Sequence, residues 1–112
     1  MPRLERDVLH EVLIEVTALP GSFFVRTNTG AATVLDRDTG ATRFVRFNRK
    51  GAPDIIGCLR GTYVGIECKR DGRSVQSPDQ RRFQENVERA GGVYVVVRSA
   101  FEAIEALGRL VT

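Results

Sequence analysis

Three charged side chains interrupt two otherwise apolar runs in the middle of the chain. Asp54 follows Gly51-Ala52-Pro53 and precedes Ile55-Ile56-Gly57. Glu67 and Lys69 close the run Tyr63-Val64-Gly65-Ile66-Glu67-Cys68-Lys69. A charge on a core strand is costly to bury unless it is paired or bound to a metal. The two runs meet at Arg60-Gly61, which reads as a hairpin turn. A symmetric turn there sets Leu59 against Thr62 and, counting back, Asp54 against Glu67. Directly opposed residues of an antiparallel pair share a face, with Cβ atoms roughly 4.5–5.5 Å apart. Lys69 lies two residues beyond Glu67 and shares that face as well. Two carboxylates so close repel unless a cation lies between them. Hard oxygen donors suit Mg²⁺ or Mn²⁺. A neighbouring lysine can orient a water or stabilise charge on a reacting phosphate.

The opposite face of the same hairpin is apolar. Ile55, Leu59, Val64 and Ile66 are expected to pack under a helix. Cys58 and Cys68 fall on opposite faces, which argues against a disulfide, and they lack the spacing of a zinc site. Two buried thiols are the expected outcome. His10 is expected to be a surface or packing residue of a helix.

At 112 residues the chain is long enough for one modest core, and a single domain over 1–112 is expected. A hydrophobic fraction of 42% and a charged fraction of 28% are those of a globular protein rather than a disordered one. No apolar run approaches the roughly 20 residues of a membrane span. Met1–Asp7 lacks the apolar centre of a signal peptide, so a cytoplasmic location is expected. The net charge of +3 is unevenly placed. Residues 1–36 carry 3 basic and 5 acidic groups, residues 37–73 carry 9 and 4, and residues 74–112 carry 5 and 5. The basic excess surrounds the candidate acids. A basic rim holding phosphates around acids holding a metal is the arrangement a nuclease needs.

Leu4, Val8, Leu9, Val12, Leu13 and Val16 repeat at helical spacing over residues 3–18, and Pro20-Gly21 ends that helix. Residues 23–26 read as a strand. The polar stretch 27–41 reads as a loop around a short strand at Thr33–Leu35, and 42–47 as a further short strand. Ser77-Pro78-Asp79-Gln80 carries a serine N-cap, a proline at the first helical position and a glutamine at the third, the pattern of a capping box. Phe83 and Val87 form that helix's inward stripe. Val93–Val97 reads as an interior strand. Ser99 caps a last helix through Gly108, with Phe101, Ile104 and Leu107 inward. Tyr63 and Tyr94 are expected to pack.

Proline-aspartate followed by glutamate-x-lysine on the next strand resembles the PD-(D/E)xK nuclease superfamily. Further segments resemble its VRR-NUC branch, the virus-type replication-repair nuclease domain. These are Arg26-Thr27-Asn28-Thr29-Gly30, Lys50-Gly51-Ala52-Pro53-Asp54, Glu67-Cys68-Lys69, Ser77-Pro78-Asp79-Gln80 and Tyr94-Val95-Val96-Val97-Arg98. The match spans nearly the whole chain, so it resembles a stand-alone nuclease domain of the phage and bacterial kind. The resemblance implies an α/β fold with a restriction-endonuclease-like core, a central mixed β-sheet flanked by helices in the order α-β-β-β-β-α-β-α. It implies Asp54, Glu67 and the carbonyl of Cys68 as metal ligands, Lys69 as the catalytic lysine and Gln80 facing the pocket. A glutamate of the first helix completes the family's site. Glu5, Glu11 and Glu15 compete for that role, and the family's position early in the helix favours Glu5. Arg26, Asn28, Arg46, Arg49, Lys50, Arg70 and Arg73 are the expected nucleic-acid contacts.

The implied activity is Mg²⁺- or Mn²⁺-dependent hydrolysis of phosphodiesters in DNA. No base-reading helix is evident, so structure-selective cutting of branched or flapped DNA is expected, with a homodimer if both strands are cut. The competing readings are a catalytically silent nucleic-acid-binding module of nuclease fold, and an RNase.

Overall fold

The computed structural model describes residues 4–27, 31–46, 49–70 and 75–110. The elements run α1 (Glu5–Thr17), β1 (Ser22–Arg26), β2 (Ala31–Leu35), β3 (Thr42–Arg46), β4 (Ile55–Leu59), β5 (Thr62–Cys68), α2 (Pro78–Arg89), β6 (Val93–Val97) and α3 (Ala100–Gly108). The fold is mixed α/β. A four-stranded mixed sheet, in the order β1-β4-β5-β6, is flanked by helices.

The β4–β5 hairpin is the centre of that sheet. Arg60 (φ 49°) and Gly61 (φ 88°) both occupy the left-handed region that a two-residue hairpin loop with matching twist demands. The Arg60 N–H donates to the Gly21 carbonyl at 2.8 Å, tying this turn to the end of the first helix. Leu59 pairs with Thr62 and Ile55 with Ile66, the register expected from the sequence. β1 adds antiparallel to β4, and β6 adds parallel to β5. A parallel neighbour needs a crossover, and α2 supplies it.

The apolar face of the hairpin packs under α1 and α3. Val8, Val12 and Val16 of α1 join Ile55, Leu59, Val64, Ile66, Cys68 and Val97 of the sheet, with Ala103 and Leu107 of α3, in one buried cluster. Each fully buried aliphatic side chain stabilises the fold by about 1.5–3 kcal/mol over the exposed one. α2 lies on the opposite face, where its Phe83 ring meets Tyr94 with centroids 6.3 Å apart.

Five expectations change. The order implied by the resemblance has four strands before α2, and the structure has five, because the short strand read at Thr33–Leu35 forms as β2. β2 and β3 pair with each other as a separate antiparallel ribbon, so the 42–46 strand is not part of the central sheet. β6 is not interior: among the described residues it pairs with β5 alone and ends the sheet. Its valine run reflects cover by α3 on one face and α2 on the other, which demands apolar residues without demanding two strand neighbours. In α3 the inward stripe is Ala103 and Leu107 with Ala100 and Ile104, and Phe101 is 75% exposed. Positions 100, 103, 104 and 107 make the i, i+3, i+4, i+7 stripe, and Phe101 lies off it. Only one of the two expected buried thiols is buried: Cys68 lies in the core cluster, while Cys58, opposite Tyr63 on the other face of the hairpin, is exposed, and both thiols are free. His10 is exposed, as expected. No described helix is long and apolar enough to cross a membrane.

Candidate metal centre

The site grows from the two ends of the hairpin. Asp54 immediately precedes β4, and its backbone is pinned. The Thr27 N–H donates to the Asp54 carbonyl at 2.9 Å, and the Thr27 hydroxyl donates to the Pro53 carbonyl at 2.5 Å. Across the hairpin the Cys68 N–H donates to Asp54 Oδ2 at 2.8 Å. The strand pairing thus aims this carboxylate at the end of β5, where Glu67 sits only 3% exposed.

Glu5, the first residue of α1, completes a group of three. One carboxylate oxygen from each of Glu5, Asp54 and Glu67 lies within 4.8 Å of the others, and together these residues could hold a metal ion. Glu11 lies six residues further along α1, roughly 9 Å along the axis, and Glu15 further still. Both are exposed.

Lys69 and Gln80 flank Glu67. The Lys69 ammonium lies 3.7 Å from Glu67 Oε1 and donates to Gln80 Oε1 at 3.2 Å. Gln80 Nε2 in turn donates to Glu67 Oε1 at 2.9 Å. The same glutamine closes the capping box of α2. Its Oε1 accepts from the Ser77 N–H at 2.8 Å, and its own N–H donates to Ser77 Oγ at 3.2 Å. Helix capping and contact with Glu67 and Lys69 are therefore one arrangement rather than alternatives. Gly51 lets this helix end approach: a Cβ there would stand 2.3 Å from the Asp79 carbonyl oxygen. The neighbouring Lys50 pairs with Asp79 at 3.2 Å.

Tyr94 was expected to be a packing residue only, and it does more. Its hydroxyl lies 3.5 Å from Glu67 Oε2. It is a polar-tipped residue within a valine run, on the same face of the sheet as Glu67, and that interruption was the available signal. Burial is the main cause that pushes the Tyr94 hydroxyl above its ordinary range, with the Glu67 charge adding to it.

Burial likewise pushes Glu67 up to about 8, with the charge of Asp54 adding to the effect and Lys69 opposing it. Burial, then Asp54 and Glu67, also holds the Cys68 thiol well above its usual range, so it stays protonated. A buried carboxyl beside two others, with one ammonium in contact, is short of positive charge. The donor set is all oxygen, which fits a hard divalent cation.

The expected nucleic-acid contacts are more scattered. Arg26 is exposed and stands opposite Ile55 in the β1–β4 register, next to the hairpin's start. Arg49 and Lys50 are exposed before β4, and Arg70 is exposed directly after Lys69. Asn28, Arg73 and the side chain of Arg46 lie outside the described residues. Compared with protein-family models and with curated proteins, the sequence matches none.

Proposed function

We propose that this chain is a Mg²⁺- or Mn²⁺-dependent nuclease that hydrolyses phosphodiesters in DNA, with a restriction-endonuclease-like core of the VRR-NUC kind. The observation that carries this reading is the convergence of Glu5, Asp54 and Glu67 beside an ammonium group, Lys69, that is itself held in place by Gln80. In this reading Asp54, Glu67, Glu5 and the Cys68 carbonyl hold the metal. Bound there, the ion would lower the pKa of a water and withdraw charge from the phosphate.

The chain's own groups supply the rest. Lys69 offers its positive charge to a phosphate whose oxygens gain charge as the bond breaks. Gln80 holds Lys69 and Glu67 in register, so the ammonium does not swing away when the site fills. Glu67 gives up its proton when the site takes a cation, since only the carboxylate is a good ligand. Arg26, Asn28, Arg46, Arg49, Lys50, Arg70 and Arg73 hold the phosphate backbone without reading sequence. On branched DNA two copies act together, one on each strand.

The test is cleavage of end-labelled duplex, single-stranded, flapped and four-way DNA, with a matched RNA, in Mg²⁺, Mn²⁺ or EDTA. Lys69→Ala is run beside the native chain. Metal-dependent cutting of DNA that falls by roughly 10²–10³-fold in the variant is expected. Binding without cutting under every condition would assign the chain to the silent-module reading. Cutting of RNA alone would make it an RNase. Gel filtration of the active species at one chain's mass would remove the paired action.

A further inference from the structure

α2 does not seal the face it covers. None of its residues is fully buried, although Phe83 and Val87 point toward the sheet. A cavity of about 320 Å³ opens between α2 and the sheet, lined by Tyr63, Phe83, Val87, Ala90 and Gly92 together with Arg49 and Asn86. Gly92 makes room for the Tyr63 ring: a Cβ there would stand 3.1 Å from Tyr63 Cδ1 and 2.9 Å from Val87 Cγ1. A larger residue at that position would press on the ring. An aromatic surface is left half-exposed beside a second ring, Phe83.

A second cavity, of about 240 Å³, shares Arg49, Phe83 and Asn86 with the first and adds Lys50, Asp79 and Arg82. Through these shared residues the two run together along α2, aromatic at one end and carrying three basic residues around one acid at the other, where Asp79 pairs with Lys50 at 3.2 Å and with Arg82 at 3.9 Å. The aromatic end and the carboxylate cluster share the same two elements. Along β5, Tyr63 precedes Glu67 by four residues, roughly 13 Å. Along α2, Phe83 follows Gln80 by one turn. A basic track beside an aromatic platform is how proteins hold single strands without reading sequence, because every base has a π-face.

We propose that this groove takes an unpaired nucleobase of a single-stranded DNA segment, stacked on Tyr63 and Phe83, with its flanking phosphates at Arg49, Lys50 and Arg82. The Asn86 amide meets the base edge. The proposal rests on the reading of the chain as an enzyme of nucleic acid, and it narrows the substrate to DNA with an unpaired stretch next to the cut.

The test is binding in EDTA, where no cutting can occur. Anisotropy of labelled oligothymidylate is compared with an abasic strand of equal length and with a blunt duplex. The native chain is expected to bind oligothymidylate roughly tenfold more tightly than the abasic strand, the order of one base–aromatic stack. Phe83→Ala should remove that preference, leaving abasic and duplex binding unchanged. Ala90→Leu fills the groove from the helix end, keeps the Phe83–Tyr94 packing, and should do the same if the Phe83 variant fails to fold. Equal affinity for thymidylate and abasic strands overturns the proposal, as does a preference that Ala90→Leu leaves intact, or no binding of single strands. An apolar dye that occupies the groove and is not displaced by oligothymidylate also overturns it. Base-dependent binding by a chain that never cuts would leave the groove standing and remove the nuclease. Metal-dependent cutting without base preference would do the reverse.

Discussion

Ile66 and Glu67 are neighbours on one strand, and both are buried, yet they face different chemistry. Ile66 points into a layer of aliphatic side chains under α1 and α3. Glu67 points the other way, where a glutamine, a lysine and a tyrosine hydroxyl meet it. The first face gains stability from area removed from water. The second face keeps a carboxyl away from water and must satisfy it with partners, which it does incompletely in charge. The sheet thus separates what holds the fold together from what the fold presents. Buried residues of the second face are expected to matter to binding and chemistry more than to stability.

The largest expected effect lies on the closed face. Ile66→Ala should cost about 2–5 kcal/mol of unfolding free energy, read by urea denaturation, because the cavity it leaves has no room to collapse between two layers. A loss under ~1 kcal/mol would mean the α1–α3 face is not the core. Lys69→Ala is the counterpart on the open face. Its unfolding midpoint should stay near that of the native chain while cleavage falls by the factor given above. A large loss of stability in Lys69→Ala would blur the division between faces.

The pH dependence of stability sharpens it. Glu67 in the folded chain is raised from 4.5 to about 8. Between those values the folded state keeps a proton that the unfolded chain has released, so stability of the metal-free protein falls as pH rises through that window. Denaturation in EDTA at pH 5 and pH 8 should show this fall, and Glu67→Gln should flatten it. Mg²⁺ at pH 8 should restore stability to the native chain, since it binds the folded carboxylates. Equal slopes for the two proteins would mean that Glu67 is not the group responsible.

The smallest effect is expected at the cap. Ser77→Ala removes the acceptor for the Gln80 N–H and should cost about 1 kcal/mol. Gln80 shares its side chain between the cap and Glu67, so the same substitution should also lower activity. Lost stability with untouched cleavage would separate the two roles of Gln80.

Much of this arrangement is legible in local sequence. The turn at Arg60-Gly61 fixes the hairpin register, and a period of two then puts Asp54 and Glu67 on one face and Ile55 and Ile66 on the other. The serine-proline pair fixes where α2 begins. These are short-range effects, decided by turn geometry, capping and alternation within a few residues. Strand neighbours are not. The valines of β6 read as interior because burial by two helix layers leaves the same residue types as pairing on both sides. The alternation that marks a strand at 42–47 names no partner, and that strand pairs with β2 outside the central sheet.

The hairpin, its two faces and the caps of α2 and α3 follow from local sequence, because each depends on residues close in the chain. The sequence also narrowed the third acid to Glu5, Glu11 or Glu15. Only the tertiary structure brought Glu5 to the other two, across about fifty residues of chain. The same packing turned Tyr94 toward Glu67 and left α2 standing off the sheet over Tyr63. Those outcomes depend on how helices seat on the sheet, and that is settled by the fit of whole layers rather than by any local pattern.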